Sequence, residues 1–416
     1  MLTKDKQTAL SLIKDKVNGV INDSYSSIAQ QTGFSKRSIL RWARDIEKKD
    51  MDSFLTHGNK GRQPSNIAED SEIQFIREFK KPYPVITIAQ FRDIYHEDVI
   101  YNPAMHSVVE SLHLRPRSYT FFQSLYRRLN WKSPIQRRKR KQTKERHLLR
   151  EPSPRRGMLI QIDGTPYDWL NTGQRWCLHL AVDDATSEVL AGWFAENECQ
   201  RGYCHVMRII LQKYGIPLSL YSDKHTIFRN YKNNDSPTQF GMMMENLGIE
   251  LIFANTSQAK GRVERMNFTV QNRLINDIIR FRIQTYDQLN AWFNSFYIPY
   301  INQKLAFPPY DPYSEFMEMD KDFDYSTIFC LRETRIIHNN MFTYNSYYYL
   351  PVKENGDPVP IRNGIEIDLR IDVFTRQIRI YRNEKYYKCK RAKYRGPRKK
   401  SLMDNQKDLG HYLEQK

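Results

Sequence analysis

A chain of 416 residues exceeds what one ordinary hydrophobic core organises and predicts several domains. Lys and Arg total 65 against 47 Asp and Glu, a formal charge of +18 that points to a polyanionic partner, nucleic acid ahead of an anionic membrane surface. No run of about eighteen apolar residues occurs and the N-terminal MLTKDKQTALSLIKDKV is broken by charges, so no membrane partner is expected and the chain reads as soluble and cytoplasmic.

The first element with a signature is SYSSIAQQTGFSKRSILRWARDIEKKD. A short helix holding Ile28 and Ala29, a turn at Gly33 and a second helix capped by Ser35 have the spacing of a helix-turn-helix, with Ile39, Leu40 and Trp42 inward. Lys36, Arg37, Arg41 and Arg44 then face outward, where such motifs meet base edges and phosphates. This predicts a DNA-binding domain over 1–60; the plainer alternative is a helical pair with a solvated basic face. After the turn-rich THGNKGRQPSN, apolar periodicity punctuated by Pro82, Pro84 and Pro103 predicts three short helices near 72–79, 88–95 and 105–112. They form a second helical domain, 61–132, for DNA binding or assembly. Within the linker 133–152, RRKRKQTKER carries seven basic residues and one Glu, a density that resists packing and suits phosphates. Arg137, Arg138, Lys139 and Arg140 are its candidate contacts.

From Met158 the pattern becomes α/β. MLIQID, RWCLHLAVDDA and EVLAGWFAE read as strands, CQRGYCHVMRIILQKYG as a helix stopped by Gly215, and IPLSLYSD as a fourth strand. SPTQFGMMMENLG then gives a helix ending at Gly248, IELIFAN a fifth strand, and QAKGRVERMNFTVQNRL the start of a long helix reaching about Arg282. That order predicts a mixed sheet with helices on both faces over 153–305. Beyond Asp324, alternating aromatic and β-branched segments broken at Asn339-Asn340, Asn345-Ser346 and Asn383-Glu384 predict hairpins and a small β-barrel over 325–390. KCKRAKYRGPRKK, with eight basic residues, leads into a basic tail, 391–416. Five cysteines at 177, 199, 204, 330 and 389 fit no CxxC or zinc spacing and read as reduced, mostly buried thiols.

Three acids carry the chemistry. Asp163 is read as ending the first strand and Asp223 the fourth, with Glu264 one turn into the last helix. The first and fourth strands are neighbours in such a sheet, and the last helix crosses that edge, so the three carboxylates converge. Together they would repel unless divalent cations intervened. Oxygen-only donors and a phosphate substrate suit Mg2+ or Mn2+, and two such ions about 3.5 to 4 Å apart can drive phosphodiester displacement. Lys260, Arg262, Arg265 and Arg273 are expected to hold the DNA backbone beside them. Rival acids have plainer roles: Asp183 and Asp184 in a turn, Asp168 at the surface, Glu245 on a Met-rich packing helix and Asp235 in a loop or cap. His225 and Lys224 could touch a phosphate, while Trp169 and Trp193 read as core ahead of base stacking.

LIQIDGTPYDW, LAVDDATSEVLAGWF, YSDKHTIFR and NTSQAKGRVERMNFTVQNRL, in that order, resemble the integrase-core segments of bacterial insertion-sequence DDE transposases, specifically the ISNCY-like group. The interval from Asp223 to Glu264 is somewhat longer than in retroviral integrases. The resemblance implies a multidomain α/β protein with an RNase H-like catalytic core, N-terminal helix-turn-helix domains and a C-terminal small β-barrel. It implies a catalytic triad of Asp163, Asp223 and Glu264, and metal-dependent cleavage and strand transfer at the ends of a bacterial insertion sequence. The implied partners are double-stranded DNA, as terminal inverted repeats and target, and further copies of the chain as a homodimer or higher multimer; the implied location is cytoplasmic and nucleoid-associated. The alternative is a catalytically inactive or regulatory sequence-specific DNA-binding derivative.

Overall fold

The computed structural model describes residues 2–46, 48, 67–134, 150–230, 236–253 and 261–395. These fall into two compact units, 1–77 and 78–416. In the first, α1 (Leu2–Val17), α2 (Tyr25–Thr32) and α3 (Lys36–Asp45) enclose a core of Ala9, Leu10, Ile13, Ile28, Ile39 and Trp42. Ser24 and Ser35 cap α2 and α3 by accepting from Ser27 and Ser38 backbone N–H groups, and Gly33 ends α2 at φ 72°, a left-handed turn that suits glycine. Leu40, expected inward, is 41% exposed, because Ile39 and Trp42 already occupy the inward stripe and Leu40 lies a third of a turn away.

The boundary between the units falls within helix α4 (Asp70–Lys80), which is followed by α5 (Ile88–Tyr95), α6 (His106–Ser111) and α7 (Tyr119–Arg128). The last of these is missing from the sequence expectation, although Ser118 caps it and Phe122, Leu125 and Tyr126 form its buried stripe.

The central sheet has the order β3-β2-β1-β4-β5. Its strands are β1 (Ile160–Tyr167), β2 (Trp176–Asp183), β3 (Val189–Ala195), β4 (Ser219–Ser222) and β5 (Glu250–Phe253). β1, β2 and β3 pair antiparallel, whereas β4 lies parallel to both β1 and β5, the mixed sheet expected from the element order. Helices α8 (Gln200–Lys213) and α9 (Gln239–Glu245) pack against one face, with Ile160, Ile162 and Leu220. The other face carries α10 (Gly261–Phe281), α11 (Tyr286–Trp292) and α12 (Ile298–Leu305), with Leu178, Leu180, Val263, Val270 and Leu274 in the interior.

The C-terminal strands β6 (Cys330–Ile336), β7 (Phe342–Tyr344), β8 (Tyr347–Val352), β9 (Glu366–Asp372), β10 (Ile378–Arg382) and β11 (Lys385–Arg395) form an antiparallel sheet in the order β6-β9-β10-β11-β8-β7. All three expected hairpin turns are present, with φ between 47° and 65° at Asn339, Asn340, Asn345, Ser346, Asn383 and Glu384.

Three expected boundaries move. Residues from α5 onward belong with the second unit and do not form a separate 61–132 domain, because Arg273 and Arg280 on α10 pair with Asp93, Glu97 and Asp98. The C-terminal sheet shares one continuous apolar core with α8 and α9, so it is not a free module. The tail expected from 391 begins as strand, since Arg391 and Arg395 pair with Tyr349 and Tyr347. Among the described residues no helix is long and apolar enough to cross a membrane, and all five cysteines are free thiols, Cys177, Cys204 and Cys330 buried.

Candidate active site

The register of the sheet positions two of the three acids. β1 and β4 pair with Ile160 opposite Leu220 and Gln161 opposite Tyr221, which leaves Asp163 two residues past the last pair on β1 and Asp223 two residues past it on the β4 side. Asp163 does not end its strand: β1 stays paired to β2 as far as Tyr167 opposite Trp176, so Asp163 sits mid-strand, while Asp223 directly follows β4.

Three hydrogen bonds lay α10 along β1. Val263 N donates to Gln161 Oε1 at 3.1 Å, Asn267 Nδ2 to Asp163 Oδ2 at 2.9 Å and Gln271 Nε2 to Thr165 Oγ1 at 2.7 Å. The match is geometric: four residues of helix rise about 6 Å, and two residues of strand about 6.6 Å. Every fourth residue of α10 therefore meets every second residue of β1. Glu264 lies between the first two of these ties, on the exposed side of the helix.

Among the described residues no three His, Cys, Asp or Glu side chains stand together in a metal-holding group. Each aspartate instead accepts a nearby N–H: Asp163 from Asn267, and Asp223 Oδ1 from His225 N at 3.0 Å. The donor set, three carboxylates on adjoining elements, nevertheless fits a hard divalent cation in kind.

Behind α10 lies a second acidic centre. Asp184 is fully buried. Its Oδ1 accepts from Gln161 Nε2 at 2.7 Å and pairs with Arg262 Nε at 3.1 Å and with Arg150; its Oδ2 accepts from Ser153 N at 2.7 Å and Ser153 Oγ at 2.9 Å. These donors saturate its lone pairs and leave none for a cation. Asp183 closes the turn to β3 by accepting from Thr186 N, Thr186 Oγ1 and Gly157 N; burial pushes its carboxyl up against these bonds. Asp168 accepts from Thr172 and Gly173 N–H groups in a surface turn, and Glu245 is exposed at the end of α9. His225 Nδ1 accepts from Ile227 N, while Trp169 is core, its Nε1 donating to Trp176 O at 2.8 Å. Trp193 stacks on His205.

The basic residues separate. Lys36, Arg37, Arg41 and Arg44 are exposed on α3, and Arg265 is exposed beside Glu264. Arg262 and Arg273, expected at phosphates, are turned inward instead. Arg262 pairs with Asp184, and Arg273 Nη2 donates to Asp93 Oδ2 at 3.0 Å with only 13% of its side chain exposed. Each guanidinium already has a charge-assisted partner within the fold, the buried Asp184 for Arg262 and the partly buried Asp93 for Arg273. Arg137, Arg138, Lys139, Arg140, Lys260 and Asp235 lie outside the described residues. The sequence reading misses Gln161, Asn267 and the buried role of Asp184; a glutamine inside the buried strand LIQID is the available signal.

The chain is 31% identical over 300 residues to the transposase of insertion sequence IS1202 from Streptococcus pneumoniae, covering 66% of this chain and 63% of that protein. It is related to insertion-sequence transposases. The transposase-described protein y4bF of Sinorhizobium fredii is 38% identical over 174 residues, covering 40% of this chain and 38% of its own length. The chain thus spans less than two thirds of either relative. No family model matches. Among solved structures, the catalytic core domain of HTLV-2 integrase in complex with magnesium aligns at 21% identity and TM-score 0.26, covering 33% of this chain and 85% of that one. A simian T-cell lymphotropic virus intasome, in complex with a PP2A regulatory subunit, aligns at 14% identity and TM-score 0.31, covering 71% of this chain and 98% of that one.

Proposed function

We propose that this protein is a DNA transposase whose RNase H-like core cleaves and joins DNA strands at the ends of an insertion sequence, with Asp163, Asp223 and Glu264 as its catalytic acids. The observation that supports the reading is the register of β1 with β4, past whose last pair Asp163 and Asp223 each lie two residues, together with the hydrogen bonds that run the helix of Glu264 along β1. The kinship with insertion-sequence transposases supports the same reaction class.

In this reading Asp163, Asp223 and Glu264 would hold Mg2+ or Mn2+, two ions per site, which would supply Lewis-acid chemistry for phosphodiester displacement. Asn267 orients the Asp163 carboxylate, and Arg265 takes a backbone phosphate beside Glu264. The first three helices act as the helix-turn-helix that finds the terminal repeats through Lys36, Arg37, Arg41 and Arg44. The C-terminal sheet serves as a small barrel on flanking DNA. Synapsis of two ends calls for two or more copies of the chain, working in the cytoplasm on the nucleoid.

A second reading, a sequence-specific DNA-binding derivative without catalysis, is favoured by one observation: among the described residues, Asp163 and Asp223 each accept from a protein N–H and form no metal-holding group with a third side chain. The two separate on duplexes that the full chain selects from a random pool, incubated with Mg2+ or Mn2+. The transposase reading expects cleaved and joined strands from the wild type, and on the order of a hundredfold less from Asp163→Asn. Binding without products, or equal products from the variant, overturns it.

A further inference from the structure

The buried Asp184 centre has no part in the proposed reaction, yet it touches the strand and the helix that carry Asp163 and Glu264. Gln161 spans the gap. Its Nε2 donates to Asp184 Oδ1 while its Oε1 accepts from Val263 N, one residue before Glu264. Arg262, two residues before Glu264, pairs with the same carboxylate at 3.1 Å and donates from Nη1 to Ser187 Oγ at 3.0 Å. From the other side Ser153 and Arg150 anchor Asp184.

We propose that Asp184 is a positioning residue that fixes the first turn of α10 and, through it, the place of Glu264. Two features separate this from ordinary core polarity. The first turn of a helix has N–H groups without intrahelical partners, so its direction is set by what receives them; here the Val263 N–H is received by a glutamine held on Asp184. The second is that Arg262 ties this turn to two places at once, Asp184 just past β2 and Ser187 just before β3. Glu264 and Arg265 are exposed, and Val263 and Met266 are its buried apolar side chains. Ion pairing of Arg262 with Asp184 therefore adds to the ties of Asn267 and Gln271 on β1 a hold on the rotation of the first turn, and that rotation bears on whether the Glu264 carboxylate faces Asp163. A network behind a metal ligand of this kind shifts metal affinity about 10- to 100-fold when broken.

The proposal rests on Asp163, Asp223 and Glu264 being metal ligands, and the test keeps the two apart. Mn2+ binding to the full-length chain is followed by calorimetry and by electron paramagnetic resonance, with hydrogen exchange of the amides at 262–265 read in parallel. Asp184→Asn keeps the side-chain volume but removes the charge that Arg262 needs. It is expected to raise the Mn2+ midpoint about tenfold and to speed exchange in the first turn. Gln161→Leu leaves the Asp184–Arg262 pair intact and provides a variant should Asp184→Asn not fold; its expected shift is about threefold, in the same direction. Val270→Ala, a buried cavity variant further along α10, controls for lost stability and should leave the midpoint unchanged. The proposal is overturned by Asp184→Asn or Gln161→Leu binding Mn2+ as the wild type does while Glu264→Gln loses binding, or by Val270→Ala shifting the midpoint equally. Unaltered binding in Glu264→Gln would instead remove the metal reading, and this proposal with it.

Discussion

Asp277 is fully buried on α10, its Oδ2 accepting from Gln90 Nε2 at 3.2 Å. Burial pushes its carboxyl from the ordinary 3.8 up to about 7, although Arg273, Arg280 and the Gln90 hydrogen bond pull the other way. Between those two values the folded chain keeps a proton that the unfolded chain has released. The contribution of Asp277 to stability is therefore greatest below pH 3.8, falls as pH rises and is fully lost above about 7. The slope is about 1.4 kcal/mol per pH unit, which sums to roughly 4 kcal/mol across the window. Asn in place of Asp copies the protonated form. Asp277→Asn is accordingly expected to leave stability unchanged near pH 4 and to raise it by as much as about 4 kcal/mol at about pH 8, read from denaturant midpoints at the two pH values. A variant that follows the wild-type pH profile would show that another group sets the slope. Nothing in NDIIR announces this residue: the side chain that covers it, Gln90, arrives from a helix 187 positions away. The same blindness explains Arg262 and Arg273, which have the sequence pattern of exposed helical basics and whose acidic partners are Asp184, just past β2, and Asp93 on α5. The pairing of β1, which carries Asp163, with β4, which Asp223 follows, is easier to read, because it follows from strand order.

Among the elements, legibility tracks how local the cause is. Asn339-Asn340, Asn345-Ser346 and Asn383-Glu384 turn where expected because positive φ is a property of two residues, and asparagine tolerates it. The β1–β4 adjacency follows from crossover rules. The pairing of α10 with β1 at Gln161, Asp163 and Thr165 does not, since polar residues on a helix normally mark its solvent side. Gly215 shows both cases in one position. Its role as helix stop is readable, and its φ is 101°. Its close approach to the returning chain is not: a Cβ there would meet Met317 O at 2.1 Å, where Ile216 and Met317 exchange backbone hydrogen bonds. Gly215→Ala is expected to cost about 3 kcal/mol or more, because a carbonyl in a paired backbone cannot step aside. Gly173→Ala, at φ 82° with nothing within 4 Å of the added Cβ, carries the backbone strain alone and should cost about 1 kcal/mol. Equal losses in thermal or denaturant unfolding would show that the Met317 contact does not matter.

At the scale of the whole molecule, the sequence divides where composition changes, whereas the folded chain divides where apolar contact stops. Phe329, Leu331, Leu369 and Ile371 of the C-terminal segment share one core with Met207, Ile210, Phe240 and Met243 of α8 and α9. Polar contacts reinforce the join. Gln239 Nε2 donates to Arg332 O at 3.0 Å and Arg332 N to Gln239 Oε1 at 2.9 Å, while Arg208 lies over the rings of Tyr325 and Phe374. Removing the chain after Asp324 would therefore bare an apolar face of α8 and α9 as well as delete a proposed DNA-contact module. At about 25 cal/mol per Å2, losing even a few hundred Å2 of such burial removes several kcal/mol, comparable with the whole stability of a domain. The fragment 1–324 is expected to bind a hydrophobic dye, lose its near-ultraviolet dichroism and be digested by protease through the central sheet. Fragment 78–416 retains that core whole and should unfold in one cooperative transition. A fragment ending at 324 that resists protease and keeps native dichroism would mean that the C-terminal sheet can leave without cost, and that the shared core contributes little to the sheet that carries Asp163 and Asp223.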